Sequence, residues 1–327
     1  MLFANRNLTL NRHLPLTVLS SWQSARIILI STLLLALLSG IYARAASGML
    51  VPLRVKGSFV IAAICKDGII VASDSRGMLK DRRGQRIAYY DVNQKIFPLE
   101  NKLIADTGYA SLNDTRVSFL SALMSHFAQS PLSAVEVDQL PGSYFAYASS
   151  LLGPLGANSA KLQTLMFAGY ERGRSTICIY EGESSRATKC RSSGYFSSPK
   201  QQILGLQNIG SLSFEDAAQV MEATINDYAA AVQPGLVGGP VVIRIITRSG
   251  SRWFVSHPDW PKWESFTDLA DDYRIGRSQF QLMPGVSKAQ LDALIEEGAT
   301  WARLGQAANS QKPVAAVPVI GSFPPDR

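Results

Sequence analysis

Histidine and cysteine, which often build metal centres, are scarce in this sequence. The chain of 327 residues has 3 histidines and 3 cysteines, and it contains no Cys-x-x-Cys motif. Only His126 and His257 lie beyond the first 57 residues, far apart along the chain. Because a structural zinc site needs four such ligands close together, the sequence predicts no metal site and no cofactor.

Acidic residues are absent from the first 57 residues, which carry six basic ones. This segment accounts for most of the formal net charge of +7, and the remainder has 26 basic and 25 acidic residues. A nucleic-acid groove needs an excess of positive charge on the folded domain. The composition therefore predicts that nucleic acid is not a partner.

Charged residues are also missing from the apolar run at 27–43. Its length lies near the lower limit for a membrane span and slightly above a typical signal-peptide core. Ala43-Arg44-Ala45 fits a small-x-small cleavage pattern. We divide this region into a basic leader (1–26), a signal-peptide core or transmembrane anchor (27–46) and a possible propeptide (47–57). Cleavage and retention both remain open.

The basic residues before the apolar run predict the direction of export. Arg6, Arg12 and Arg26 would hold the N-terminus in the cytoplasm, because positive charge favours that side of a membrane. The rest of the chain is then extracytoplasmic, either periplasmic or secreted. If residues 27–46 are retained, they anchor it to the membrane.

Apolar runs separated by turn residues predict antiparallel strand pairs. Runs at 58–65 and 69–74 flank Asp67-Gly68, which is a strong hairpin signal. Strands and helices come in groups rather than in alternation, which favours stacked antiparallel sheets with helices outside. The other predicted elements are strands at 95–99, 103–105, 162–170, 175–180, 241–247 and 253–255, and helices at 114–124, 143–152, from Ser213 and from Ser287.

The positions of the three cysteines in the sequence indicate different roles for them. Cys178 and Cys190 flank a predicted hairpin turn at 181–185, so they could approach each other. A disulfide between them and two free thiols both remain open. Cys65 lies in an apolar strand and is predicted to be a small core residue.

Four segments in a fixed order resemble the proteasome-type N-terminal nucleophile (Ntn) hydrolases, the family of proteasome β subunits. Residues 56–76 resemble the family's nucleophile strand and the Asp-x-Arg turn after it, and residues 95–105 resemble its lysine strand and the next strand. Met-Phe-Ala-Gly-Tyr at 166–170 is similar to its central strand, and Val-Gly-Gly-Pro at 237–240 to a late strand. The resemblance covers residues 58–255.

The resemblance implies an α+β fold, a four-layer αββα sandwich of two antiparallel sheets preceded by the signal or transmembrane segment. This Ntn hydrolase domain would span residues 58–256. An extension with a short helix (257–305) and a flexible tail (306–327) would follow it. The resemblance ends before these last two segments.

The resemblance also implies a site made of Ser58, Asp74, Lys95 and Gly108, with Gly57 as the residue before self-cleavage. Ser58 stands where the family has its threonine, and cleavage after Gly57 would make it N-terminal. Its α-amine, with a pKa of about 7.7–8.0, could then accept the hydroxyl proton without a histidine. Asp74 would orient the site, Lys95 would lower its proton affinity, and the Gly108 N–H would face the oxyanion.

The resemblance implies a self-processing amide hydrolase of the peptidase type that acts on peptide or acyl-amide substrates. A homo-oligomer is a further expectation. The alternative is a catalytically silent protein that uses the same fold for assembly or binding. Two departures favour it: Phe59 replaces a small polar residue, and residues 234–237 lack the family's Asp and Ser. Lys95 would then be an exposed strand lysine.

Overall fold

Antiparallel sheets account for most of the regular structure in the computed structural model of this chain. The structure describes residues 58–81, 85–107, 135–144, 146, 164–181, 189–200, 202–231, 236–256 and 266–310. In chain order the strands are β1 (Val60–Cys65), β2 (Gly68–Ser73), β3 (Gly77–Lys80), β4 (Arg86–Tyr90), β5 (Ile96–Leu99), β6 (Lys102–Asp106), β7 (Thr164–Glu171), β8 (Arg174–Glu181), β9 (Lys189–Arg191), β10 (Gly194–Ser198), β11 (Val242–Thr247), β12 (Gly250–Val255) and β13 (Gln281–Leu282).

The longer helices of the described chain lie in its second half. Helix α1 (Phe214–Ala231) lies between β10 and β11, after two short 3-10 turns. Helices α2 (Phe266–Arg274) and α3 (Lys288–Ser310) follow β12 and flank β13. A shorter helical segment covers residues 140–144.

Two five-stranded sheets carry the residues of interest. The first has the order β10–β1–β2–β11–β12, and the second has the order β5–β6–β7–β8–β9. Strands β1 and β2 form the hairpin predicted from Asp67-Gly68, with Val60 opposite Ser73. All neighbouring strands in both sheets are antiparallel.

The two five-stranded sheets pack face to face. Alternate residues of β1 point to opposite faces: Val60 and Ala62 join a buried cluster with Met166 and Ala168 of the second sheet, whereas Ile61 and neighbours of the same parity pack against α1. The outer face of the second sheet packs against residues of the 137–144 segment. Both faces of β1 are therefore buried, which explains its continuous apolar run.

A disulfide joins the last two strands of the second sheet. Cys178 of β8 lies directly opposite Cys190 of β9, and their sulfurs are bonded. This answers the question that the sequence left open. Cys65 is a buried free thiol in β1, as predicted.

A smaller third sheet, in the order β13–β4–β3, packs against α2 and α3. Leu79 and Ala88 from the sheet share a buried cluster with Leu269, Leu291 and Ile295 from the helices. The segment between β2 and β5 thus packs with the C-terminal extension. This extra module was not predicted.

The structure confirms the coarse prediction of a chain that combines helices with stacked antiparallel sheets. The helix predicted from Ser213 is present, and the Ser213 hydroxyl accepts a hydrogen bond from Asp216 N at 3.1 Å. The helix predicted from Ser287 continues to Ser310, beyond the boundary expected at 305. Alanine-rich sequence favours this continuation, because alanine has the highest helix propensity.

Several predicted segments lie outside the described residues. These are the N-terminal segments 1–26, 27–46 and 47–57, the helix at 114–124 and most of the helix at 143–152. Within the part of the chain that the structure describes, no helix is both long enough and apolar enough to cross a bilayer.

Candidate functional site

The carboxylate of Asp74 is the centre of a buried polar cluster at the end of β2. Its Oδ1 accepts hydrogen bonds from Lys95 Nζ at 2.6 Å and from Phe59 N at 2.8 Å. Its Oδ2 accepts hydrogen bonds from the backbone N–H groups of Arg76 and Gly238, both at 3.2 Å. A fully buried carboxylate needs such donors to offset its lost hydration.

Lys95 reaches Asp74 from the second sheet, where it directly precedes β5. Its side chain is 3 % exposed, so the alternative of an exposed strand lysine is wrong. Burial lowers the pKa of Lys95, and the carboxylates of Asp74 and Asp106 oppose that shift. The ion pair therefore joins the ends of two different sheets, which is a contact that the sequence spacing could not show.

Ser58 is placed near the Asp74–Lys95 pair by the next residue in the chain, Phe59. The Phe59 N–H donates to the Asp74 carboxylate, and Phe59 O accepts from Asp74 N at 3.1 Å. This reciprocal contact extends the β1–β2 pairing to the residue next to Ser58. By the alternation of β1, Ser58 shares the face of Val60, which packs against the second sheet. Ser58 itself is 6 % exposed.

The structure describes three of the five predicted site residues. It brings Asp74 and Lys95 into contact. Ser58 directly precedes Phe59, whose N–H donates a hydrogen bond to the Asp74 carboxylate. Gly57 and Gly108 lie outside the described residues. Thr107, just before Gly108, is buried, and its hydroxyl is 2.8 Å from the Ser198 hydroxyl.

A glycine pair supports the Asp74 carboxylate from the segment before β11. Gly238 donates its N–H to Asp74 and accepts from Ser75 N at 3.1 Å. Gly239 has φ +71°, and a Cβ there would lie 2.5 Å from the Ser75 hydroxyl oxygen. Only glycine fits this conformation and this space without a shift of neighbouring atoms.

Arg76 fixes the other side of the same turn. Its guanidinium forms two hydrogen bonds to the Asp91 carboxylate, at 2.6 and 2.7 Å. It also stacks over the Tyr89 ring, 4.1 Å from the ring centroid. Tyr89 pairs with Gln281 of β13, so the small third sheet contacts the Asp74 turn through Arg76.

Two buried hydroxyls beside Asp74 were not predicted as part of the site. Tyr228 of α1 stacks on Phe59 with ring centroids 4.5 Å apart, and its buried hydroxyl has no hydrogen-bond partner among the residues that the structure describes. Burial, and secondarily the charge of Asp74, raise the pKa of Tyr228. The Ser73 hydroxyl is also buried, and no described residue forms a hydrogen bond with it. The sequence assigned Tyr228 only to the apolar face of its helix.

The cluster has a definite chemical character. The Asp74 carboxylate accepts four hydrogen bonds. Three of the donors are backbone N–H groups, and the fourth is the side-chain ammonium of Lys95. Among the residues that the structure describes, no group of three or more His, Cys, Asp or Glu side chains could hold a metal ion.

Comparison with known proteins adds no assignment. No protein-family model matches this chain, and no curated protein matches it either.

Proposed function

We propose that this protein is a self-processing amide hydrolase of the Ntn type, with Ser58 as its nucleophile and peptides or acyl-amides as substrates. The contact set of Asp74 carries the proposal, because it links a buried lysine to the backbone next to Ser58. Replacing a buried ion pair with apolar residues is often neutral or stabilising. The pair at Asp74 and Lys95 is therefore better explained by chemistry than by stability.

In self-processing, the acyl group of Gly57 moves from the Ser58 nitrogen to the Ser58 hydroxyl oxygen and then to water. Ser58 Oγ attacks the Gly57 carbonyl carbon, the C–N bond breaks, and the hydroxyl proton passes to the Ser58 nitrogen. Water then hydrolyses the resulting ester, which leaves a carboxylate on Gly57 and a free α-amine on Ser58. The absence of a side chain on Gly57 favours the approach of Oγ.

Turnover uses the new α-amine as the base. It accepts the proton of Ser58 Oγ while Oγ attacks the substrate carbonyl, and it returns the proton to the leaving amine. Water, activated by the same amine, then hydrolyses the ester on Oγ, which releases the acid product and restores the Ser58 hydroxyl. Two neighbouring cations disfavour each other, so Lys95 lowers the proton affinity of this amine. In the proposal, Asp74 holds Lys95 in place and the Gly108 N–H stabilises the oxyanion.

We extend the proposal to the four-layer αββα arrangement and to export. The packing of α1 outside the first sheet, and of the 137–144 segment outside the second, supports the layer order. The disulfide between Cys178 and Cys190 supports an oxidising compartment. An extracytoplasmic location, a membrane contact through residues 27–46 and a homo-oligomer belong to the same proposal.

The test combines intact mass, N-terminal sequencing and hydrolysis of peptide and acyl-amide substrates. We expect the parent chain to begin at Ser58, Ser58→Ala to remain unprocessed and inactive, and Ser58→Thr and Ser58→Cys to retain processing. Ser278→Ala is the matched control, because it also removes a buried hydroxyl that has no hydrogen-bond partner among the described residues, at a position between α2 and β13 outside the Asp74 cluster. It should process and turn over like the parent.

Two results would reject the proposal. One is a mature parent chain that starts upstream of Gly57, and the other is a Ser58→Ala variant with parental mass and activity. Either result favours the catalytically silent alternative, in which the Asp74–Lys95 pair only joins the two sheets.

A further inference from the structure

A cavity of about 590 Å³ lies at the far end of β1 from Ser58. Three hairpin turns border it, namely those that connect β1 to β2, β7 to β8 and β11 to β12. Cys65 ends β1 seven residues after Ser58, which corresponds to a separation of roughly 23 Å along a strand. The cavity is therefore remote from the Asp74 cluster.

Each of the three hairpins contributes one cation to the cavity lining. Lys66 comes from the first turn, Arg174 from the start of β8 and Arg248 from the third turn. The Arg248 guanidinium donates to Gly173 O at 3.4 Å, which connects the second and third hairpins. The positive charges thus converge from segments that are far apart in the sequence.

Negative charge at the cavity is limited. Asp67 lines it, but the Asp67 carboxylate accepts a hydrogen bond from Phe214 N at 3.1 Å, at the start of α1. Within the described ranges, none of the three cations forms an ion pair. The described lining therefore carries three positive charges against one negative charge.

Such a cluster favours an anion as its occupant. Like charges that fold together repel one another, and a bound anion removes that repulsion. The lining also includes the polar side chains Tyr170, Ser175 and Ser192, which can donate hydrogen bonds to anionic oxygens. The volume lies in the usual range of small-molecule sites.

We propose that this cavity binds a small molecule that carries at least two anionic groups, either phosphates or carboxylates. Lys66, Arg174 and Arg248 contact the anionic groups, and the apolar floor of Ile64 and Cys65 contacts the rest of the ligand. The proposal is independent of the hydrolase proposal, because it shares no residue with the Asp74 cluster.

Calorimetric titration of the purified full-length protein tests this proposal, with pyrophosphate and tricarballylate as separate probes. We expect saturable binding of at least one probe and a higher melting temperature in its presence, because a ligand that binds only the folded state stabilises it. The preferred probe distinguishes phosphate from carboxylate chemistry. The double variant Arg174→Gln/Arg248→Gln should weaken binding by at least ~10-fold, since charge-assisted hydrogen bonds are lost.

Arg252→Gln is the matched control. Arg252 is an exposed cation on β12 of the same hairpin as Arg248, outside the cavity lining. Its loss changes the net charge as much as the loss of Arg174 or Arg248 alone, so it is compared with each of these single variants, which should also weaken binding. The affinity of Arg252→Gln should stay within about 2-fold of the parent, because diffuse surface charge contributes little. Equal weakening by Arg252→Gln, or no saturable binding of either probe to the folded parent, overturns the proposal.

Discussion

The two ends of β1 hold charged residues in opposite ways. At the Ser58 end, Lys95 and Asp74 are both buried and form an ion pair, and Asp74 has three further hydrogen-bond donors. At the turn end, Lys66, Arg174 and Arg248 are exposed and form no ion pair within the described part of the chain. Folding pairs the buried charges of Asp74 and Lys95 with each other. The three exposed cations would need an external anion to neutralise their charge.

This contrast shows how burial determines what a charge can be used for. A buried charge without partners strongly destabilises the folded state, so the contacts at the Ser58 end are formed by the protein itself before any substrate binds. Exposed cations remain hydrated, and their mutual repulsion is small enough to persist without a ligand. The first site is therefore expected to be rigid and sensitive to substitution, and the second to be tolerant.

The largest expected effect comes from removing the buried cation. Lys95→Met leaves the Asp74 charge buried without its ion pair, which should lower the free energy of unfolding by about 3–5 kcal/mol. Arg248→Met at the other end should change it by less than about 0.5 kcal/mol, because that side chain is exposed. Urea unfolding of both variants measures the difference.

A double variant sharpens this first prediction. Asp74→Asn added to Lys95→Met removes the unpaired charge, so it should recover part of the lost stability. If Lys95→Met is as mild as Arg248→Met, the ion pair does not contribute to folding as the contacts indicate.

The next prediction compares the loss of stability on replacing two glycines that have similar backbone conformations. One lies at the Ser58 end of the sheets and the other at the turn end. Gly239 has φ +71° and Gly173 has φ +78°, so alanine at either position should cost about 1–2 kcal/mol for the left-handed conformation. A Cβ on Gly239 would also meet the Ser75 hydroxyl oxygen at 2.5 Å, whereas one on Gly173 would meet no atom of the described residues within 4 Å.

Gly239→Ala should therefore be less stable than Gly173→Ala by about a further 1–3 kcal/mol, because it overpacks the Asp74 turn. Thermal unfolding of the two variants under the same conditions tests the difference. Equal losses would mean that the turn relaxes freely and that the site end is not rigid.

The smallest effect concerns an unpaired hydroxyl at the Ser58 end. Tyr228→Phe removes a buried hydroxyl that has no partner in the described part of the chain and keeps the stacking on Phe59, so stability should be unchanged or rise by up to about 1 kcal/mol. Tyr195→Phe is the control, since the Tyr195 hydroxyl accepts from Ile203 N at 2.8 Å.

Tyr195→Phe should lower the free energy of unfolding by about 1 kcal/mol or more, because it leaves the Ile203 N–H without its partner. Denaturant melts should therefore show a loss of stability for Tyr195→Phe and no loss for Tyr228→Phe. A loss in Tyr228→Phe that matches the loss in Tyr195→Phe would show that the Tyr228 hydroxyl is satisfied in solution.

The local elements near Ser58 could be predicted from the sequence. Asp67-Gly68 between two apolar runs predicted the β1–β2 hairpin, and the structure has it. The pair β5–β6 and helix α1 were also predicted near their observed positions. These elements depend on local turn chemistry, capping and periodicity, all of which are properties of neighbouring residues.

The small third sheet and α2 could not be predicted in the same way. Strands β3 and β4 follow the Asp74 turn, yet their partners β13, α2 and α3 come nearly 200 residues later by sequence number, around Leu269 and Leu291. Short, mixed segments of this kind become stable only through packing against distant partners. The contact between this module and Arg76 depends on the same long-range packing.

By itself, the sequence determined the apolar runs of the strands and the hairpin at Asp67-Gly68, and its family resemblance gave the candidate residues Ser58, Asp74 and Lys95. Only the tertiary structure decided that Lys95 is buried against Asp74, that Cys178 is bonded to Cys190 and that three cations share one cavity. Turns and periodicity depend on residues close in the chain, whereas burial and charge pairing depend on residues that meet only after the sheets have packed.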